Sequence, residues 1–302
     1  MVDVGRIVAI TNQKGGVGKT TTTINLAVAL GATLKGKILL IDLDPQGNSS
    51  SGLIAGAKVA TGKDAGRTIY EALSSKIALA GAIRQARENI FLAPSGPDLV
   101  GAEVELATAE GRERRLKKAL EAVQDEYEWI LIDTPPSLGL LTLNAMVAAN
   151  GLLVPMQCEY YALEGLTALL GTVKKVKAAL NTKLEIIGIV LTMFDSRNRL
   201  SHEIAREVHR HFPDKIFESV IPRSVRLSES PSHGLSVLEY DAKSSGAEAY
   251  RSLAAELIGR NGAARDDTSM PDIETAEADL PKRNWSLKSL FAREKEKGRK
   301  PA

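Results

Sequence analysis

The chain has 302 residues, of which 44% are hydrophobic and 25% are charged, so it can bury a substantial core. Its formal net charge of +2 indicates neither a strongly basic nor a strongly acidic protein, so any basic surface for nucleic acid must be local. The one cysteine, Cys158, excludes an internal disulfide and a cysteine cage for zinc or an iron–sulfur cluster, and we expect it to be a small core residue.

The apolar segments of the chain are all short. None approaches the roughly 20 residues that span a bilayer. The first of them, residues 7–10, is too short for a secretory signal. We therefore expect a cytoplasmic protein without stable membrane association.

Strand-like and helix-like patterns alternate as far as about residue 258. The strand-like segments are rich in Ile, Val and Leu and show little polar alternation, which is typical of strands buried on both faces of a parallel sheet. They are Arg6–Thr11, Lys37–Leu43, Asn89–Ala93, Trp129–Asp133, Gly151–Pro155, Glu185–Thr192 and Ile216–Ile221. The helix-like segments between them are Thr20–Leu30, Glu113–Val123, Leu163–Leu180 and Ser201–His211. We predict a doubly wound α/β domain over residues 1–260, with a mostly parallel sheet flanked by helices.

The remainder of the chain, residues 261–302, differs in composition. It is acidic as far as Asp279 and then basic from Lys282 to Lys300. We predict a disordered extension, because few of its residues could be buried. An alternative is that Trp285–Phe291 forms a short amphipathic helix that docks on a partner or a membrane surface.

A glycine-rich loop, Asn12-Gln-Lys-Gly-Gly-Val-Gly-Lys-Thr20, follows the first strand directly and opens the first helix. Glycine permits backbone conformations that let N–H groups surround a phosphate, and the helix directs its positive end at the anion. In such a loop Lys19 reaches the β- and γ-phosphates and Thr20 ligates Mg²⁺. The sequence therefore predicts a site for ATP and Mg²⁺. Its nucleotide contacts are Lys14, Gly15, Gly16, Val17, Gly18, Lys19, Thr20, Thr21 and, at the base, Pro222.

This loop departs from the common pattern of phosphate loops at two positions. Gln13 stands where the first glycine would be, and Lys14 adds a second lysine. The second cation faces either its own nucleotide or the nucleotide of another subunit, and the spacing does not decide between them. Residues 14–20 resemble the deviant Walker A motif of the ParA/MinD superfamily. The resemblance implies that Lys14 contacts the nucleotide of the opposite subunit in an ATP-sandwich homodimer, and we count Lys14 and Lys19 among the catalytic residues.

Two aspartates follow apolar strands, where ligands bind in open α/β sheets. Asp133 suits a Walker B residue that holds Mg²⁺ through water, and Asp44, two residues after Asp42, suits orientation of the attacking water. Each could instead simply cap a helix. Residues 42–48 resemble the switch I segment of ParA-type ATPases, in which the residue matching Asp44 is catalytic. Residues 133–136 resemble their Walker B and switch II segments, and the whole resemblance extends over about residues 5–258.

Arginines near strand ends are candidates for binding DNA. Resemblance to Soj-type proteins implies that Arg197 and Arg226 contact DNA without sequence preference. The alternative is that they are surface arginines paired with carboxylates such as Asp195 or Glu229. Two further candidates are Arg199 and Arg223, although we expect Arg223 to lie near the adenine or to make a structural contact rather than to bind DNA.

The pattern leaves two functions open and excludes a third. The resemblance favours a partitioning ATPase whose ATP-bound homodimer binds non-specific double-stranded DNA on the nucleoid and releases it on hydrolysis stimulated by a ParB-type partner. The alternative is a membrane-associated regulator of the MinD type, although the switch I residues favour the partitioning branch. A relative of the nitrogenase iron protein is excluded, because its cluster needs paired cysteines.

Overall fold

A computed structural model of the protein describes residues 6–54 and 67–263. In these residues the strands are β1 (Arg6–Ile10), β2 (Ile38–Asp42), β3 (Arg84–Arg87), β4 (Ile90–Ala93), β5 (Trp129–Asp133), β6 (Gly151–Gln157) and β7 (Glu185–Thr192). They form one sheet in the order β3-β4-β2-β5-β1-β6-β7. Every neighbouring pair is parallel except β3 with β4. The predicted doubly wound, mostly parallel α/β fold is therefore confirmed.

The helices surround this sheet and connect its strands. They are α1 (Lys19–Thr33), α2 (Asn48–Leu53), α3 (Ile69–Leu73), α4 (Leu79–Ala82), α5 (Leu99–Glu105), α6 (Arg115–Leu120), α7 (Leu140–Ala148), α8 (Ala162–Ala179), α9 (Arg199–His211), α10 (Val225–Glu229), α11 (Val237–Tyr240) and α12 (Ser245–Ala263). The four predicted helices correspond to α1, α6, α8 and α9. A 3₁₀ turn, Arg112–Arg114, directly precedes α6. Helix α6 therefore begins later than predicted and is shorter.

The core lies where α1 and α12 pack against the sheet. Every residue of β2 and β5 is buried, as the near-continuous apolar pattern predicts. Leu26 and Leu30 of α1 and Leu253 and Leu257 of α12 are fully buried in the same cluster. Burying each such side chain contributes about 1.5–3 kcal/mol, so this packing gives the loops at the strand ends a rigid support. Cys158 is buried as expected, and burial raises the pKa of its thiol to about 12.

The predicted strand Ile216–Ile221 is wrong. This segment makes only isolated bridges, from Ile216 to Ile189 and from Pro222 to Phe194. The carboxylate of Glu256 on α12 accepts hydrogen bonds from the backbone N–H groups of Glu218 and Ser219, both at 3.0 Å. A side chain thus takes the donors that a strand would have used in a ladder.

Strand β3 was missed because its sequence, Arg-Gln-Ala-Arg, carries no apolar pattern. It is an antiparallel edge strand beside β4, and Asn89 at the turn has a φ of 58°. Asparagine is one of the few residues that tolerates this left-handed conformation. Charged edge strands of this kind discourage pairing with other chains.

The predicted extension falls almost entirely outside the described residues. Helix α12 continues to Ala263, and the segment Trp285–Phe291 lies beyond the part of the chain that the structure describes. Within residues 6–54 and 67–263, no helix combines the length and the apolar character needed to cross a membrane.

Candidate nucleotide site

The carboxyl ends of β1, β2 and β5 lie side by side at one edge of the sheet. The strand register pairs Asp133 with Ile10 on one side and with Asp42 on the other. The glycine-rich loop leaves β1 at this point, and Asp44 follows β2. The topology therefore brings the loop and both candidate aspartates together, at the position where open α/β sheets bind ligands.

The loop has the backbone that its glycines predict at two positions. Gly16 and Gly18 have φ values of 75° and 86°, a left-handed region that other residues adopt at a cost. Gly15 is not in that region, and a Cβ there would meet nothing within 4 Å. A need for glycine at position 15 would thus come from close approach of a ligand. Val17 is buried, and its carbonyl oxygen accepts a hydrogen bond from Thr192 Oγ1 at 2.8 Å.

Helix α1 begins at Lys19, and no side chain caps its N-terminus. The N–H groups of its first turn are therefore available to an anion, and the helix dipole favours negative charge there. Its first turn contains no acidic residue that would occupy this position.

Lys19 is 7% exposed, and its Nζ donates to the carbonyl oxygen of Lys14 at 3.0 Å. Burial lowers the pKa of Lys19, and the charges of Asp133 and Asp44 oppose that shift. A cation is thus enclosed by the loop with two carboxylates nearby. A phosphate oxygen offers this ammonium a stronger acceptor than a carbonyl does, because hydrogen bonds between ionised groups are roughly twice as strong.

Asp133 is fully buried and accepts three side-chain hydrogen bonds. Thr20 Oγ1 and Ser49 Oγ both donate to its Oδ2, at 2.8 and 2.6 Å, and Thr23 Oγ1 donates to its Oδ1 at 3.3 Å. Burial raises the pKa of Asp133, although the bonds from Ser49 and Thr20 favour the charged form. The two residues predicted to serve the metal, Thr20 and Asp133, are therefore in direct contact.

Asp42 is the second fully buried carboxylate of the site. It accepts hydrogen bonds from the N–H and Oγ of Ser50 at 2.8 and 2.7 Å, and from the N–H of Asp44 at 3.1 Å. Burial, and next the charge of Asp133, raises the pKa of Asp42. Its bonds fix the backbone on both sides of the residue predicted to orient water.

Asp44 is 8% exposed, and its Oδ1 accepts a hydrogen bond from the N–H of Gln46 at 2.9 Å. The helix that follows, α2, begins after Gly47, whose φ is 64°. The carboxylate therefore ends a tight turn. Its charge also favours the charged form of Lys19 and so opposes the lowering of the Lys19 pKa by burial.

Lys14 extends from the loop to the segment after β6, where its Nζ forms an ion pair with Glu159. The side chains of Lys14 and Glu159 are 38% and 47% exposed. Lys14 therefore differs from the enclosed Lys19, because its ammonium lies at the surface.

An open pocket of about 250 Å³ adjoins the loop. It is lined by Gly18 and Thr21 on one side and by Pro222, Arg223 and Tyr250 on others. The predicted base contact Pro222 and the predicted phosphate contacts Gly18 and Thr21 thus share one cavity. Arg223 also lines this cavity.

The two arginines predicted to contact DNA are paired with carboxylates. Arg197, whose side chain is 88% exposed, donates from Nε and Nη2 to Asp195, both at 3.0 Å. This pairing lowers the pKa of Asp195 to about 2. Arg226 bonds to Glu229 at 3.0 Å and to Asp241 at 3.3 Å. The alternative of paired surface arginines thus describes this state of the protein.

The arrangement suits magnesium better than a metal that binds only protein ligands. Among residues 6–54 and 67–263, no group of three or more His, Cys, Asp or Glu side chains could hold a metal ion. Mg²⁺ usually keeps several waters and is bound by one or two carboxylates together with substrate phosphates. A threonine hydroxyl beside one buried carboxylate, at the mouth of an anion-binding loop, fits that requirement.

The sequence analysis missed Ser49, Ser50, Thr23 and Thr192, which all bond to the site. Hydroxyl residues have no spacing that would single them out. The one available signal for Ser49 and Ser50 was their position at the start of a helix directly after the loop that carries Asp44.

Comparisons with known proteins agree with this geometry. The model of the family AAA_31, an AAA domain, matches residues 5–186. The chromosome-partitioning ATPase Soj of Treponema pallidum is 50% identical over 259 residues, which cover 85% of this chain and 99% of that protein. The sporulation initiation inhibitor protein Soj of Bacillus subtilis is likewise 50% identical, over 85% of this chain and 100% of that protein.

Three solved structures with the same fold come from proteins with different functions. A cobyrinic acid a,c-diamide synthase from Mycobacterium smegmatis, with bound ATP analogue and magnesium, has a TM-score of 0.74 at 33% identity and covers 89% of this chain and 100% of its own. A putative plasmid partition protein from Borrelia burgdorferi, bound to AMPPNP, has a TM-score of 0.73 at 26% identity. The match covers 85% of this chain and 99% of that protein. The cell division ATPase MinD of Pyrococcus furiosus has a TM-score of 0.69 at 28% identity. The match covers 84% of this chain and 99% of that protein.

Proposed function

Because the chain belongs to the Soj/ParA family of chromosome-partitioning ATPases, we propose that it binds and hydrolyses ATP with Mg²⁺ in order to partition DNA. The observation that carries this proposal is the contact between the phosphate loop and Asp133, made by Thr20 at 2.8 Å. Two of the solved relatives contain an ATP analogue, one of them with magnesium. The diamide synthase is a more distant match, at 33% identity against 50% for the partition proteins.

Each loop residue has a role in this proposal. The N–H groups of residues 15–21 hold the phosphates, with Lys19 neutralising the β- and γ-phosphate oxygens. Thr20 would hold Mg²⁺ directly and Asp133 through water, and the bound ion would neutralise charge that develops on the transferred phosphoryl group. The pocket beside Pro222 would take the adenine.

Asp44 is proposed to orient the attacking water. It lies on the turn between β2 and α2, at the same edge of the sheet as the phosphate loop, which supports a position of its carboxylate near the terminal phosphate. Positioning and electrostatic stabilisation are the protein's main contributions to phosphoryl transfer, and a carboxylate that holds the water would supply part of the positioning.

The surface position of Lys14 supports a homodimer that closes on ATP. Its ammonium is partly exposed and held by Glu159, outside its own phosphate loop. This favours the second of the two roles that the sequence left open, contact with the nucleotide of a partner subunit. Lys14 would then act catalytically only in the dimer, since each site lacks its second lysine in the monomer.

The dimer would bind double-stranded DNA through Arg197 and Arg226 on each subunit. Both arginines are exposed and paired with carboxylates, so DNA phosphates would have to replace Asp195, Glu229 and Asp241 as partners. Contacts of this kind are independent of base sequence and weaken with salt. A ParB-type centromere-binding protein would stimulate hydrolysis and release the dimer, which would place the protein on the nucleoid in the cytoplasm.

Retention of a labelled DNA duplex of arbitrary sequence tests this proposal. Binding should require Mg·ATP, should be similar for a second unrelated duplex, and should fall steeply between two salt concentrations. No affinity for Mg·ATP at millimolar concentration would refute the site, and nucleotide-independent DNA binding would refute the switch. ATP-dependent sedimentation with liposomes, lost on removal of residues 262–302, would instead favour a regulator of the MinD type.

A further inference from the structure

Helix α2 begins with an asparagine followed by three consecutive serines, Ser49, Ser50 and Ser51. The hydroxyls of Ser49 and Ser50 are completely buried, whereas Ser51 is exposed. Ser49 Oγ donates to Asp133 at 2.6 Å, and Ser50 Oγ donates to Asp42 at 2.7 Å. Two adjacent serines therefore attach this short helix to both buried carboxylates of the site.

The hydrogen bond from Ser49 uses an atom that the proposed metal site also needs. A carboxylate oxygen has two lone-pair sites, and Thr20 already donates to the same Oδ2 at 2.8 Å. Both sites of Oδ2 are thus filled while Ser49 is in place. Asp133 Oδ1 accepts one hydrogen bond, from Thr23 at 3.3 Å, so the competition is at Oδ2. A metal-bound water that donates to Oδ2 would displace Ser49, because Thr20 fills the other site of this oxygen.

Of the two hydroxyls on Oδ2, that of Ser49 is the one that can leave. Thr20 belongs to the fifteen-residue helix α1, which is packed in the core, whereas Ser49 belongs to the six-residue helix α2. Among the described residues, the buried Ser95 hydroxyl has no hydrogen-bond partner, and the Ser95 N–H contacts α2 through Ser50 Oγ at 3.0 Å. An unpaired buried hydroxyl is costly, so this side of α2 contains a donor that a shifted arrangement could satisfy.

Building on the proposed nucleotide function, we propose that Ser49 is a positioning residue that holds α2 to Asp133 in the nucleotide-free protein and gives up this bond when Mg²⁺ and nucleotide bind. The hydroxyl thereby links occupancy of the metal site to the position of α2. Asp44 lies four residues before α2, so its turn would follow the same change.

Two measurements on the full-length chain test this role without relying on catalysis. The first is a calorimetric titration of Mg²⁺ into protein with ADP. Ser49→Ala should lower the half-saturating Mg²⁺ concentration about tenfold, because a hydrogen bond to a charged group no longer has to be broken. The second is amide hydrogen exchange over residues 47–54, which should rise in the nucleotide-free variant to the level of the wild-type protein with Mg·ADP.

Ser51→Ala is the matched control. It makes the same substitution on the same helix, but the Ser51 hydroxyl is exposed and bonds only to backbone carbonyls of Gly47 and Asn48. It should leave the Mg²⁺ requirement unchanged. An unchanged or higher Mg²⁺ requirement in Ser49→Ala would overturn the proposal, as would wild-type exchange over residues 47–54 that does not rise with Mg·ADP. A wild-type protein that binds no Mg·ADP would refute the nucleotide function itself.

Discussion

Replacing Arg226 by alanine should weaken binding to arbitrary DNA and should also make that binding less sensitive to salt. The exposed guanidinium of Arg226 is bonded to Glu229 and Asp241. Its removal would take away a phosphate contact and would leave the negative charges of Glu229 and Asp241 near the DNA without this cation. Loss of the phosphate contact changes the salt dependence of binding. The remaining carboxylates repel the DNA, and this repulsion is strongest at low salt.

The size of the salt effect follows from counterion release. Each phosphate contact contributes about 0.9 to the slope of log affinity against log salt on duplex DNA. A homodimer presents two copies of Arg226, so the slope should decrease by about 1.8. Over a fourfold increase in salt this corresponds to about a tenfold change. The deficit of the variant relative to the wild-type protein should therefore be about tenfold smaller at about 200 mM salt than at about 50 mM.

The assay is fluorescence anisotropy of a labelled duplex with Mg·ATP at several salt concentrations. Arg210→Ala is the matched control, because Arg210 is also an exposed arginine paired with a glutamate three residues away. It lies eleven residues along α9 from Arg199, roughly 16 Å away along the helix axis. The reasoning is refuted if Arg226→Ala keeps the wild-type slope, or if Arg210→Ala loses as much affinity and slope. ATP hydrolysis without DNA should be unaffected in both variants.

Three further variants test the nucleotide site. Lys19→Ala should reduce ATP affinity by about two orders of magnitude, because a charged contact to phosphate is lost; calorimetry showing tight binding would contradict the loop assignment. Asp44→Ala should slow hydrolysis but preserve ATP-dependent dimers, so loss of dimers on size-exclusion chromatography would count against a role in orienting water. Burial and Asp133 raise the pKa of Asp42 above its ordinary value of 3.8, so the folded state holds this proton more tightly than the unfolded state. Its stabilising contribution is present at low pH and is lost as pH rises towards neutrality. The contribution of Asp42 to the melting temperature of the nucleotide-free protein should thus decrease between about pH 4 and 7, and Asp42→Asn should flatten the profile in that range; an unchanged profile would show that Asp42 is not the group that titrates.

The phosphate loop and the aspartates could be located from sequence because their signals are local. The order strand, glycines, Lys19-Thr20 and helix occupies one continuous segment. Asp133 ends a strand that is apolar throughout, and parallel strands align their carboxyl ends at one edge. The contact between Thr20 and Asp133 follows from these two facts, although 113 residues separate them.

Other features depend on partners that no local pattern reveals. The segment after Lys215 contains as many apolar residues as a strand, but Glu256 binds two of its N–H groups from 37 and 38 residues away. The attachment of Ser49 to Asp133 spans 84 residues. In both cases a polar side chain distant in sequence makes the contact, and hydrophobic patterning does not reveal it.

Helix α2 also offers a physical connection, within one subunit, between the metal site and the segment that carries the candidate DNA residue Arg226. A Cβ at Gly52 would lie 2.8 Å from Ile24 of α1 and 3.5 Å from Pro231. Pro231 belongs to the 3₁₀ turn that follows α10, the helix of Arg226, and it lines the pocket beside the phosphate loop. Because α2 lies against this segment and protein interiors are close-packed, we expect a displacement of α2 to alter its contact with the segment that follows Arg226. The glycine at position 52 is what allows α2 to be packed between the two.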